Sequence, residues 1–149
     1  MKEKFTSNIK KLRKEFNVSQ MQFAKEIGYG KSVISSWELG DQTPSAKAII
    51  ILSRYFQVST DYLLKVTDDN TTLHRIDDFD VDMSIFNKRL KDLRLKNKLS
   101  QDRLADKTGI SQSAIGNWEI GKGIPAATAI IKLANYFGVT TDYLLGESD

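Results

Sequence analysis

The chain contains no cysteine, one histidine and two prolines among 149 residues. Without cysteine there is no disulfide framework and no thiolate metal site. With His74 alone in an acidic stretch, a histidine-based metal centre is not expected either. No run of about 18 apolar residues is present, so no membrane-spanning helix is expected. The opening residues, Met1-Lys2-Glu3-Lys4-Phe5, are charged and lack the apolar stretch of a signal peptide. The expected location is therefore cytoplasmic. There is no glycine-rich phosphate loop, and carboxylates cluster only in the middle of the chain, so no catalytic site is expected. No cofactor or metal is expected, and the sequence identifies no small-molecule inducer.

What is present is charge, unevenly placed. Residues 1–66 carry 11 Lys/Arg against 6 Asp/Glu, a net +5. Residues 67–85 carry one Arg against six Asp, a net −5, and residues 86–149 carry 10 against 7, a net +3. Two basic blocks flank an acidic spacer, which points to a polyanionic partner.

The two blocks are copies of each other. Shifted by 81 residues, residues 5–65 align with 86–146 without a gap, and 27 of 61 positions are identical. Ser19-Gln20 meets Ser100-Gln101, Trp37-Glu38 meets Trp118-Glu119, and Thr60 to Leu64 meets Thr141 to Leu145. This predicts domains at 1–66 and 86–149, joined by an acidic linker over 67–85.

Each copy reads as five helices. Phe5, Ile9, Leu12 and Phe16 recur at three- and four-residue steps, the stripe of an amphipathic helix. Ser19 is placed to cap a second helix that runs to Ile27, and Gly28 stops it. A third helix spans about 31–39, and Gly40 ends it. Pro44-Ser45 opens a fourth, with Ala48, Ile49, Leu52 and Phe56 as its apolar positions. Ser59 or Thr60 caps a short fifth. Tyr55, Phe56, Tyr62 and their equivalents read as core or as an interface beside it.

Helices two and three are separated by only a few residues. Such a corner packs two short helices at a steep angle. It needs a small side chain where they cross (Ala24, Ala105), a residue at positive φ in the turn (Gly28, Gly109), and an apolar anchor on the third helix (Ile34, Ile115). Gln20-x3-Ala24-x3-Gly28-x5-Ile34-x2-Trp37 returns as Gln101-x3-Ala105-x3-Gly109-x5-Ile115-x2-Trp118.

On these residues, with the Trp-Glu-x-Gly end of helix three, the following Pro and the Asp-Tyr-Leu-Leu close, the chain resembles the Cro/repressor-type (XRE-like) helix-turn-helix regulators of phage and bacteria. The resemblance implies an all-α fold of two tandem five-helix lambda-repressor-like domains. It implies a bacterial or phage-encoded, nucleoid-associated regulator of transcription, a repressor, that binds double-stranded DNA. In that family helix three enters the major groove and helix two braces on the backbone.

Carried over, the base-facing residues are Lys31, Ser32 and Ser36 in the first copy, and Gln112, Ser113 and Asn117 in the second. Gln and Asn suit adenine, Lys suits guanine, and Ser serves either. Gln20 and Gln101 match a phosphate-contacting position. Arg13 with Glu38, and Arg94 with Glu119, match an internal ion pair whose arginine also reaches a phosphate. Lys122 matches another phosphate contact, where the first copy has Asp41, a repulsive residue.

Trp37 and Trp118 read as core rather than as groups stacked on the backbone. Lys10, Lys11 and Lys14 read as phosphate contacts or as a solvated helix face. Gly116 stands within the second recognition helix, where a close approach of DNA would explain it. His74 reads as surface. In the spacer Phe79, Val81, Met83 and Ile85 alternate with polar residues, which predicts an extended strap docked on one copy rather than a stable strand.

Two modules in one chain can read two half-sites. About 20 spacer residues extend to roughly 65 Å at about 3.3 Å each, against the roughly 34 Å between successive major-groove faces. Because the two third helices differ, the expected site is asymmetric. The alternatives are a homodimer on a palindrome, or one copy binding DNA while the other is a dimerisation or partner-docking module, as in an antitoxin.

Overall fold

The computed structural model describes residues 4–73, 76 and 78–149. Every regular element among them is an α-helix: α1 Ile9–Glu15, α2 Gln20–Ile27, α3 Lys31–Leu39, α4 Ala46–Phe56, α5 Thr60–Leu63, α6 Ser84–Lys96, α7 Gln101–Thr108, α8 Gln112–Glu119, α9 Ala127–Phe137 and α10 Thr141–Leu145. The chain divides into two compact units. One is drawn from residues up to Val81, except 45–47 at the head of α4, and the other from Asp82 onward. His74, read as surface from the sequence, lies outside the described residues.

Local chemistry sets the helix ends. The Ser19 hydroxyl accepts from the Gln22 backbone N–H at 3.1 Å, and Ser100 accepts from that of Arg103 at 3.1 Å. These bonds satisfy amides that the first turn leaves unpaired. Ser59 and Thr140 do the same for α5 and α10. At the far end of α2, Gly28 lies at φ 79°, and Gly109 closes α7 at 75°. A Cβ at either position would meet nothing within 4 Å, so the backbone angle rather than crowding calls for glycine.

In the first unit the core is built by Phe23, Ile34, Ile49, Leu52, Phe56 and Leu63, all at most 2 % exposed. In the second it is built by Phe86, Leu90, Leu104, Ile115, Leu133 and Leu144, all fully buried. Each such side chain contributes about 1.5–3 kcal/mol by leaving water.

Three details differ from the periodicity reading. First, α1 begins at Ile9 rather than near Phe5. Residues 5–8 are held in another way: the Phe5 amide donates to the Gly40 carbonyl at 3.3 Å, and the Asn8 amide to that of Leu63 at 2.9 Å. Phe5 therefore belongs to the apolar stripe without belonging to the helix. Second, α6 starts at Ser84, so Ile85 is helical and only part of the alternating spacer is extended. Phe79 lies against Tyr55 with ring centroids 6.5 Å apart, and the Arg54 guanidinium donates to the Asp78 carbonyl at 2.8 Å. That stretch runs along α4 of the first unit.

Third, the aromatic cluster is not duplicated. Phe16, Phe23, Tyr55 and Phe56 stack with centroids 5.0–6.1 Å apart. In the second unit Asn97 and Leu104 replace the two phenylalanines, and Tyr136 is 39 % exposed rather than core. Tyr143 is half-buried with the Arg89 guanidinium 4.1 Å above its ring.

Candidate nucleic-acid interface

The third helix of each unit is fixed from behind. Ile34 and Ile115 are 0 % exposed and anchor α3 and α8 in their cores. Trp37 is buried with its ring 5.0 Å from that of Tyr29. Trp118 is half-buried, 6.4 Å from the Phe86 ring. Both indoles are packing groups.

A second clamp is polar and nearly identical in the two units. Arg13 Nε donates to Glu38 Oε2 at 2.6 Å, and its NH2 group donates to Oε1 at 3.0 Å. Arg94 makes the same two bonds to Glu119 at 2.6 and 2.8 Å. The remaining guanidinium arm donates to the Val18 or Leu99 carbonyl, at 2.8 Å in both cases. The Gln20 and Gln101 amides add a further bond to the same carboxylates, at 3.1 and 3.3 Å. Helices one, two and three of each unit thus share one buried, bidentate network. Such pairs are the strong, geometrically specific class of charged hydrogen bond.

Burial pushes the Glu119 carboxyl up. The hydrogen bonds from Arg94 and Gln101, with the charges of Arg94 and Lys91, outweigh it and hold its pKa below the usual carboxylate value. The hydrogen bond to Glu119 raises Arg94, and that to Glu38 raises Arg13, so both stay charged.

On the opposite side of the same helices the side chains face out. Lys31 and Ser32 are exposed and Ser36 is half-buried, while Gln112, Ser113 and Asn117 are all exposed. Gln112 Nε2 donates to Gln101 Oε1 at 2.6 Å, so a residue of α7 and one of α8 present a joined pair of amides. A Cβ at Gly116 would lie 3.1 Å from Gln101 Oε1 and 3.5 Å from Gln112 Nε2. The glycine in α8 thus leaves room for this pair, an explanation the sequence did not offer.

The phosphate candidates divide into two groups. Lys122 is exposed immediately beyond α8, and its amide donates to the Asn117 carbonyl at 2.7 Å. Arg13 and Arg94 point inward, with side chains 11 % and 10 % exposed, and are committed mainly to their glutamates. Asp41, the counterpart of Lys122, pairs with Lys4 at 3.1 Å. Sequence reasoning missed Lys4, yet a signal exists. The pair Lys4 and Asp41 becomes Ile85 and Lys122 in the other copy, so both positions change together.

Among the described residues no group of three or more His, Cys, Asp or Glu could hold a metal ion. No helix among them is long and apolar enough to cross a membrane.

The fold and this paired arrangement define a tandem helix-turn-helix protein. The family described as helix-turn-helix matches the chain twice, over residues 9–63 and 90–144. The chain belongs to that family, in its XRE-like branch. It is 44 % identical over 61 residues to the SPbeta prophage-derived HTH-type transcriptional regulator YonR of Bacillus subtilis (strain 168), a stretch covering 41 % of this chain and 56 % of the relative. It is 40 % identical over 60 residues to the HTH-type transcriptional activator BcrR of Enterococcus faecalis, covering 40 % and 29 % respectively. It is 28 % identical over 104 residues to the antitoxin PezA of Streptococcus pneumoniae, covering 70 % and 63 %. The matched regions therefore span less than two thirds of each of these relatives.

Proposed function

We propose that this chain binds duplex DNA in a sequence-specific manner and regulates transcription, with α3 and α8 each lying in the major groove of one half-site. The observation that carries this reading is the two-sidedness of both third helices. One side is locked by an apolar anchor and a buried Arg–Glu–Gln network. The other presents Lys31, Ser32 and Ser36, or Gln112, Ser113 and Asn117, as hydrogen-bonding ends without a packing role. A rigid helix with an outward polar face suits the reading of base edges, where orientation decides specificity.

Gln20, Gln101 and Lys122 are the proposed phosphate contacts. Arg13 and Arg94 act chiefly by holding helix three, and only their residual N–H groups are left for a phosphate. Because the two reading faces differ, the preferred site is asymmetric. Repression follows by occlusion, since a bound chain covers the duplex that a polymerase must enter.

The test is selection of duplexes from a random pool by the full-length chain, followed by stoichiometry on the selected site. One chain on two unlike half-sites is expected. A perfect palindrome as the best site would overturn the single-chain arrangement and indicate a homodimer, and no enrichment at all would overturn DNA reading. Asn117→Ala should cost about 1–3 kcal/mol on the selected site and relax one base position. Equal losses on selected and random duplex would remove Asn117 from the reading face.

The similarity to an antitoxin over 104 residues favours one second reading, in which one unit holds DNA and the other a protein partner. Substituting the reading face of one unit at a time in the full chain separates the two. Loss of DNA binding from changes in α8 alone supports the second reading, and loss from either helix supports the first.

A further inference from the structure

The two copies differ in a way the third helices do not account for. In the first unit, the segment before α1, α1 itself, the end of α3 and the turn after α5 enclose an open cleft of about 570 Å³. Five lysines line it: Lys4, Lys10, Lys11, Lys14 and Lys65. Its one carboxylate, Glu38, is already neutralised by Arg13. The equivalent positions of the second unit are Ile85, Lys91, Asp92, Leu95 and Gly146. Formal charge over these five positions falls from +5 to zero. Lys88 and Arg89, in place of Ser7 and Asn8, restore two, but the Arg89 guanidinium is turned onto the Tyr143 and Ser148 carbonyls.

Two of the five lysines are engaged. Lys11 donates to the Tyr62 hydroxyl at 3.0 Å, and Lys4 pairs with Asp41. Lys10, Lys14 and Lys65 are exposed and have no ion-pair partner among the described residues. Lys65 is the most telling. It sits at φ 60°, where the second copy has Gly146 at φ 84°. A side chain there carries a conformational cost that glycine avoids. The first copy thus keeps a cation at a position whose backbone favours glycine, at the rim of a cleft already rich in cations.

We propose that this cleft is a clamp for the sugar–phosphate backbone of duplex DNA. It gives the first unit the electrostatic hold that Asp41 denies it at the position where the second unit has Lys122. The inference rests on the reading of the chain as a duplex binder and adds a second phosphate surface to it. The cleft reaches Leu39 at the end of α3, so a duplex read by α3 brings a strand alongside it. Lysines are compact, strongly hydrated point charges suited to phosphate. Arg13 lends no free guanidinium to the cleft, because it is committed to Glu38, so the charge there is that of the lysines.

The experiment compares the full-length chain with Lys10→Gln/Lys14→Gln and with Lys65→Gly, measuring affinity for the selected site and for random duplex across salt concentrations. Each lost phosphate contact should flatten the slope of log K against log salt by about 0.9, on both duplexes alike. Lys65→Gly should show this loss while resisting urea at least as well as the parent, which a purely structural role for Lys65 would not produce. Unchanged slopes and affinities in a parent chain that binds duplex overturn the clamp and leave the proposed function standing. Failure of the parent to bind any duplex overturns the proposed function, and the clamp with it. Binding of poly-glutamate that the lysine variants lose, with duplex slopes unchanged, assigns the cleft to an acidic protein segment and also overturns the clamp.

Discussion

Replacing Arg94 with methionine removes the charge that neutralises Glu119 while keeping much of the arginine's apolar stem. The Glu119 side chain is only 3 % exposed, so its carboxylate is left in a poorly solvated site. The Gln101 amide at 3.3 Å remains as its one neutral donor, and the Leu99 carbonyl loses its bond from Arg94. Removing one member of a buried pair costs about 3–5 kcal/mol. A ceiling applies, because Glu119 can take up a proton instead of staying charged. Protonating a carboxyl of ordinary pKa, about 4.3, at pH 7 costs roughly 3.7 kcal/mol, at 1.36 kcal/mol per unit. The expected loss is therefore about 3–4 kcal/mol. A unit of this size has about 5 kcal/mol in total, at the low end for folded domains, so the second unit would sit close to its unfolding threshold.

The chain's two tryptophans make this measurable, since each unit holds one. In a Trp37→Phe background Trp118 reports on the second unit alone, and its fluorescence in a urea titration gives the free energy. The double variant Arg94→Met/Glu119→Leu should recover most of the loss, because neither charge is then stranded. A single-variant cost below about 1 kcal/mol, or a double variant no more stable than the single, would refute the claim that this buried pair fixes α8.

The pH dependence follows from the same carboxylate. The folded pKa of Glu119 is depressed, so its stabilising contribution is complete above the unfolded value near 4.3. It is lost as pH falls through the folded value. The urea midpoint read by Trp118 should drop below about pH 4, and Glu119→Gln should remove that part of the drop. Gly109→Ala should cost about 1–2 kcal/mol, since the added methyl meets no atom and the left-handed backbone is the whole penalty. Gly109→Asn should cost less, and equal costs in urea unfolding would contradict this. Lys122→Ala should weaken binding equally on selected and random duplex and flatten the salt slope by about 0.9. A loss confined to the selected site would make Lys122 a base reader.

Much of this was legible in the sequence because short-range rules produced it. The glycine at the corner, the serine caps and the anchoring isoleucines each answer a local demand, and a duplicated pattern separates signal from coincidence. What escaped notice depended on residues distant in sequence. Nothing local says that Phe5 ties its amide to Gly40, that Lys4 answers Asp41, or that Gln101 and Gln112 join across the corner. The aromatic cluster misled for a related reason. Tyr136 is identical to Tyr55, but its burial is decided by Phe16 and Phe23, which the second copy lacks. The cleft lysines were visible individually as an ambiguous solvated face, and only Lys65, from a different part of the chain, gathers them into a site.

The Arg–Glu–Gln clamp has an evolutionary consequence. Its members occupy the same positions in both copies, while the outward residues of the third helices share only one serine, Ser32 and Ser113. The mechanical demand on the helix and the informational demand on its surface fall on separate residues. After duplication, one copy was free to change what it recognises without disturbing what holds it, so a single gene could acquire a compound address by drift in half of its product. An engineer inherits the same liberty: exchanging Ser113 and Asn117 for other side chains touches no clamp partner, and only Gln112, bonded to Gln101, reaches back to the clamp.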